Sequence, residues 1–167
     1  QRRERAPERG RLPRAPREVG LERDVRIAPH LGRQAIEQAP VRDHVLDAGC
    51  GPGRLTVPLA RGVGPTGRVV ALDIQPGMLD RAKVKTDMAG LTNVEFVAVA
   101  LGEGRLSDNY FDRMVLVTVL GEIPNPAVAL SELFHALKPG GLIAIVEVIF
   151  DPHFQSRSTV TSLALAA

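Results

Sequence analysis

The stretch "VLDAGCGPGR", residues Val45 to Arg54, constrains the fold of this chain more than any other. An apolar run ends in an acid, Asp47, and glycines follow at Gly49, Gly51 and Gly53. Glycine enters left-handed backbone conformations without steric penalty and lets another group approach the main chain with no Cβ in the way. Spaced like this between an apolar run and a helical pattern, the glycines predict a tight strand-to-helix turn open to a ligand. Gly49 and Gly51 serve the turn and the close approach, and Gly53 lets the next helix pack near the strand.

The rest of the chain repeats that alternation. "RVVALD" (68–73) is a second apolar strand ending in an acid, Asp73; "VEFVAVA" (94–100), "FDRMVLVTV" (111–119) and "LIAIVEVIF" (142–150) are the third to fifth. Helical patterns lie between them. The first follows the glycines late enough for Pro58 to fall in its first turn, and the second runs from Pro76 to about Ala89 with Gly90 as a left-handed stop. Asn125 and Pro126 open a third, whose Leu130, Leu133, Phe134 and Leu137 make one apolar face before "KPGG" (138–141) ends it. "SRSTVTSLALAA" reads as a last helix. Continuously apolar strands alternating with helices require a parallel sheet covered on both faces, and right-handed crossovers make it a doubly wound, Rossmann-like α/β fold. Ligands of such sheets bind beyond the carboxyl ends of the strands, where the glycine motif lies.

Composition sets the bounds. The 167 residues fit one domain with a leading tail. Residues 1–26 hold nine arginines against five acids, and the remaining 12 basic and 14 acidic residues leave the core slightly negative. The Arg/Pro/Glu-rich tail (1–26) is expected to be disordered, with the ligand-binding core over 27–167. Acids interleaved with the arginines, and no aromatic side chain to stack on bases, argue against a nucleic-acid partner. No apolar run reaches the roughly 18 to 20 residues of a membrane span; Glu147 interrupts the nearest, 142–150. A single cysteine, Cys50, excludes an internal disulfide framework and fits a reducing compartment, so a cytoplasmic location is expected.

Asp73 stands 24 residues after Gly49, where an acid can accept the hydroxyls of a ribose. The dinucleotide fingerprint G-x-G-x-x-G would need its third glycine at position 54, which is Arg54. Asp47 would repel a pyrophosphate and suits an amino-acid ammonium. Both features favour S-adenosyl-L-methionine over NAD(P), with an NAD(P)-binding domain as the rival.

On these residues the chain resembles class I S-adenosylmethionine-dependent methyltransferases. "VLDAGCGPGRLTVPLA" and "VVALDIQPGML" are similar to their first two motifs, and "YFDRMVLVTVLGEIPNPAVALSELFHALKPGGLIAIVEVIFDP" to the fourth strand, helix and fifth strand. The resemblance covers about residues 40–155 and is strongest to the branch that includes quinone-biosynthesis methyltransferases. It implies a cofactor loop of Asp47, Ala48, Gly49, Cys50, Gly51 and Gly53 around the methionine part, and Asp73 on the ribose. Ile74 and Met78 would flank the adenine, Ala100 and Leu101 would meet its edge, and Thr118 would lie beneath the cofactor. Relatives carry an acid where this chain has Ala100, and Glu103 is a candidate substitute. The family sheet, ordered 3-2-1-4-5-7-6, also has two strands beyond the fifth. They are missing here, which reads as a fragment of order 3-2-1-4-5 and leaves 142–150 as an open edge available for self-association.

The activity so implied is methyl transfer to a small-molecule acceptor by in-line displacement, for which a dedicated base is optional. Glu122, Glu147 and His153 are the candidates near the strand ends. His135 falls on a polar, solvated helix side with Ser131, Glu132 and Lys138, and Cys50 is expected to pack rather than react. His30 and His44 have no partner at metal-ligand spacing, so no metal site is expected. A degenerate, non-catalytic fold that pairs through its fifth strand is the alternative from a different class.

Overall fold

The computed structural model describes residues 42–167, so the tail over 1–26 and the first part of the expected core, 27–41, lie outside the described residues. Strands β1 (His44–Ala48), β2 (Arg68–Leu72), β3 (Val94–Val97), β4 (Phe111–Val117) and β5 (Leu137–Val146) form one sheet, all parallel, in the order β3-β2-β1-β4-β5. Helices α1 (Thr56–Val63), α2 (Pro76–Met88), α3 (Pro126–Ala136) and α4 (Arg157–Ala166) alternate with them. This is the doubly wound sheet expected, with its switch in winding direction between β1 and β4. Among the described residues no helix is long and apolar enough to cross a membrane.

Period-two alternation in each strand builds two apolar layers. Val45, Val69 and Val115 point to one face and pack on Leu59, Ala60 and Val63 of α1, and Ala71 joins Leu79 and Ala82 of α2 on that side. Leu46, Val70, Met114, Leu116, Ile143 and Ile145 point the other way, against Leu130, Leu133 and Phe134 of α3 and Val160 and Ala164 of α4. Burying one such aliphatic side chain completely is worth about 1.5–3 kcal/mol.

Local chemistry sets the helix ends as read. The Asn125 side chain accepts the Val128 N–H at 3.3 Å with Pro126 next, and Gly90, at φ +67°, follows α2. The strand ends differ from the apolar runs. β5 starts at Leu137, paired with Phe111, and the next rung joins Leu142 to Arg113. Residues 138–141 therefore bulge out beside Asp112, whose two carboxylate oxygens accept Lys138 Nζ at 2.8 and 2.7 Å. At the other end Thr118, left-handed at φ +53°, turns β4 aside after a last bond from its N–H to the Val146 carbonyl at 2.8 Å. With no neighbour beyond that rung, β5 stops at Val146. Glu147 lies past the strand, and Val148, Ile149 and Phe150 are an exposed segment rather than its continuation. β2, β3 and β4 likewise end short of Asp73, Ala100 and Val119, leaving the chain irregular where it borders the ligand end of the sheet.

Candidate functional site

Each glycine of the loop after β1 adopts a left-handed conformation, at φ +70°, +51° and +77°, but for different neighbours. A Cβ on Gly49 would lie 2.4 Å from Val119 Cγ2, so this glycine lets the end of β4 close over the loop. A Cβ on Gly53 would lie 2.8 Å from the Ala82 Cα; the close packing it permits is with α2, not with the helix that follows the loop. Gly51 has nothing within 4 Å on that side and borders open space.

The loop's N–H groups are directed at protein oxygens. Gly49 and Cys50 donate to the Leu72 carbonyl at 2.8 and 2.9 Å, and Gly53 to the Cys50 carbonyl at 3.1 Å. Gly51 donates to Asp73 Oδ2 at 2.9 Å, while Asp73 Oδ1 accepts the Gln75 N–H at 2.9 Å. Asp73 thus ties the glycine loop to the start of α2, and its oxygens keep lone pairs for a ligand. Asp47 is buried beneath the loop and accepts the Thr56 hydroxyl at 2.7 Å. Burial above all raises its pKa from 3.8 to about 6; the Thr56 bond opposes that rise and the Asp73 charge adds to it. Cys50 is buried too, and burial first, then the charges of Asp47 and Asp73, push its thiol up to about 12. It is a packing residue with almost no thiolate at neutral pH.

A cleft of about 420 Å³ opens at the strand ends. It brings together Gly49, Gly51, Asp73, Ile74, Met78, Ala100, Leu101, Thr118 and Glu122 of the residues singled out in the sequence. Ala48, Cys50, Gly53 and the Asp47 carboxylate do not line it. Leu72, Gln75, Val117, Val119, Ile123 and Pro124 do, and were missed. Among the described residues the lining holds two acids, Asp73 and Glu122, and no Lys, Arg or His. Thr118, β-branched and left-handed, is strained where it faces the cleft, a feature that clusters at functional sites.

The three acid–base candidates separate. Glu122 lines the cleft. Glu147 lies behind the turn at Leu120–Glu122: its Oε2 accepts the Gln155 N–H at 3.4 Å and its Oε1 is buried, with no hydrogen-bond partner within normal geometry among the described residues. Burial first, then the nearby Asp151 and Glu122 charges, raise its pKa, while N–H groups of Gln155 and Leu120 oppose the rise. His153 is exposed and outside the lining, and its carbonyl presses on Gly121, where an added Cβ would come within 1.8 Å. Glu103 does not line the cleft either; its carboxylate lies 4.0 Å from Arg105 Nε at the surface. His135 is exposed as expected, its Nδ1 2.7 Å from the Ser131 carbonyl. Glu132 departs from the solvated role, since its carboxylate accepts N–H groups of the loop between β3 and β4. His44 packs on Tyr110 at the opposite, N-terminal end of β1, with ring centroids 4.8 Å apart. Among the described residues no three His, Cys, Asp or Glu side chains converge to hold a metal.

Comparison with known proteins matches residues 41–164 to the family described as "Methyltransferase domain". A probable methyltransferase from Aspergillus luteorubrus is 35% identical over 125 residues, covering 70% of this chain and 43% of its own length. Demethylmenaquinone methyltransferase from Staphylococcus aureus is 39% identical over 102 residues, covering 61% of this chain and 42% of that protein. This chain thus spans less than half the length of those relatives. Among solved structures, an S-adenosylmethionine-dependent methyltransferase from Aquifex aeolicus superposes with a TM-score of 0.69 at 27% identity, covering 79% of this chain and 76% of its own. The [4+2]-cyclase SpnF superposes at 0.62 with 25% identity, over 70% of this chain and 43% of its own.

Proposed function

The chain belongs to the methyltransferase-domain family, and from that premise we propose that it binds S-adenosyl-L-methionine in the cleft and transfers a methyl group to a small-molecule acceptor. One observation carries the cofactor reading. The N–H groups of Gly49, Cys50, Gly51 and Gly53 all donate to protein oxygens. A dinucleotide site keeps such groups for its pyrophosphate. A lining that holds two acids and no cation among the described residues also disfavours polyphosphate and favours a positively charged ligand. The cleft, at about 420 Å³, lies within the usual range of roughly 300–1,000 Å³ for small-molecule sites.

When bound, the cofactor supplies a methyl group carried on a positively charged sulfur. The chain's own residues do the positioning, which for in-line displacement can account for about 7–11 kcal/mol of barrier. Asp73 is the acceptor for ribose hydroxyls, Ile74 and Met78 give apolar walls to the base, and the main chain at Ala100–Leu101 borders its edge. Asp47 sets a negative field beneath the loop that suits an ammonium. Of the two described acids in the cleft, Asp73 already accepts the Gly51 and Gln75 N–H groups, and Glu122 is the one we assign to take a proton from an acceptor. If it serves as base, Glu122→Gln lowers turnover by about 10²–10⁴; a change under threefold assigns it to binding.

Titration calorimetry with S-adenosylmethionine, S-adenosylhomocysteine and NAD tests the reading. Micromolar binding of the two sulfur nucleosides is expected, weakened at least about tenfold in Asp73→Ala, which loses charged hydrogen bonds worth about 1.5–3 kcal/mol each. Tighter binding of NAD would overturn it. Ala100, in place of an acid, supports one second reading, a non-catalytic fold pairing through β5; a folded chain silent to all three ligands would favour that. A cytoplasmic setting is the one we favour, on the single, packed cysteine.

A further inference from the structure

Residues 98–110 run from β3 to β4 with no regular structure and carry Ala100 and Leu101 to the cleft wall. The N–H groups of such a segment need partners elsewhere. Three of them converge on one carboxylate, that of Glu132 on α3. Gly102 donates to Oε2; Arg105 and Leu106 donate to Oε1, the latter at 3.0 Å. Hydrogen bonds to an ionised carboxylate are roughly twice as strong as neutral ones. Gly102 and Gly104, at φ +93° and +67°, bend the chain around it. The loop also lies against the helix, since a Cβ on Gly102 would sit 3.5 Å from the Ala129 nitrogen.

The Gly102 bond reaches the cleft. The Leu101–Gly102 peptide is planar and trans, so directing its N–H at Glu132 turns the Leu101 carbonyl the opposite way. The main chain of a wall residue is thereby fixed from outside the cleft. At position 100 the side chain is a methyl, so this wall has no carboxylate there to meet a polar ligand edge and depends on its main chain. We propose that Glu132 is the positioning residue for the base-binding wall, a side chain that never enters the cleft yet sets affinity and base selectivity through the 101–106 loop. The inference rests on reading the cleft as the S-adenosylmethionine site.

Glu132→Gln keeps the side chain's size and one acceptor oxygen but removes the charge and the second oxygen. The probes are S-adenosylhomocysteine and S-inosylhomocysteine, in which a base carbonyl replaces the amino group. The variant is expected to bind S-adenosylhomocysteine about tenfold more weakly and to lose preference over the inosyl analogue by a similar factor. Ile143→Val, a mild core change in β5, controls for lost stability and should alter neither. Unchanged affinity and selectivity in Glu132→Gln, or equal losses in both variants, would overturn the proposal. Amide exchange on the unmutated chain tests the clamp without any variant: Gly102, Arg105 and Leu106 should be protected before ligand is added, and rapid exchange at all three rules the clamp out. Failure of the unmutated chain to bind S-adenosylhomocysteine would refute the cofactor reading itself, and this proposal with it.

Discussion

Gly49 and Gly51 share a left-handed backbone but not a neighbourhood, and alanine at each should separate stability from binding. A left-handed alanine costs about 1–2 kcal/mol at either position. At Gly49 the new methyl also meets Val119 at 2.4 Å, and overpacking of this kind adds about 1–3 kcal/mol. Gly51 has no atom within 4 Å but borders the cleft. Urea unfolding should therefore show Gly49→Ala as the more destabilised, and calorimetry should show Gly51→Ala as the weaker binder for its stability. The reverse ranking would mean the two glycines have been assigned each other's tasks. Asp47 makes a pH prediction. Its carboxyl titrates at about 6 when folded against 3.8 as a free side chain. Between those values the folded state keeps a proton the unfolded state has released, so stability falls as pH rises through the window and stays lower above it. A shift of about two units corresponds to roughly 3 kcal/mol. Asp47→Asn retains an oxygen for the Thr56 hydroxyl, so it should flatten this slope and gain up to about 3 kcal/mol at neutral pH. It should also weaken the cofactor. An unchanged slope would place the titration elsewhere.

Elements were legible in the sequence where their cause is local. Asn125–Pro126, Pro76 and Gly90 mark helix ends through their own backbone chemistry, and the glycine loop announces itself within a few residues. Strand ends depend on neighbours: β5 stops at Val146 because Thr118, 28 residues earlier in the chain, turns away after its last rung. The work of Glu132 was hidden for the same reason, since its three partners are main-chain groups 26 to 30 residues away and a helical wheel shows merely a polar position. So too for Ile123 and Pro124, which line the cleft through the turn after β4 rather than through a motif. That turn carries the next prediction. The His153 carbonyl sits where a Cβ on Gly121 would be, and Glu147 accepts the Gln155 N–H from behind. Gly121→Ala must push residues 147–155 off the turn while leaving the sheet intact, a sub-global opening. Hydrogen exchange should quicken across 148–155 with the sheet still protected, at a stability loss of about 1–3 kcal/mol. Uniform loss of protection over β1 and β4 would show that the contact belongs to the global fold.

The order β3-β2-β1-β4-β5 gives β5 one strand neighbour among the described residues, although it is the longest strand. An edge of that length with no described strand beside it is a template for pairing. Its own apolar side chains are not what it offers, because Ile143 and Ile145 are 2% and 7% exposed under α3 and α4. Its main-chain groups that pair with no described strand are. Just past the strand, Val148, Ile149 and Phe150 form a separate exposed apolar strip, Phe150 being 95% exposed. Two copies related by a twofold axis would set β5 antiparallel to β5, with each exposed strip beside the pair. We therefore expect sedimentation equilibrium to show mass rising from 18.0 kDa towards twice that value with concentration. Ile149→Lys with Phe150→Lys should hold the chain monomeric by placing charge along the strip. Neither residue lines the cleft, so affinity for S-adenosylhomocysteine should survive the pair of changes. A constant 18.0 kDa across the micromolar range would remove β5 as a self-pairing edge. A dimer that persists in the double variant would move the interface elsewhere, with β3, at the other end of the sheet, the next strand to test.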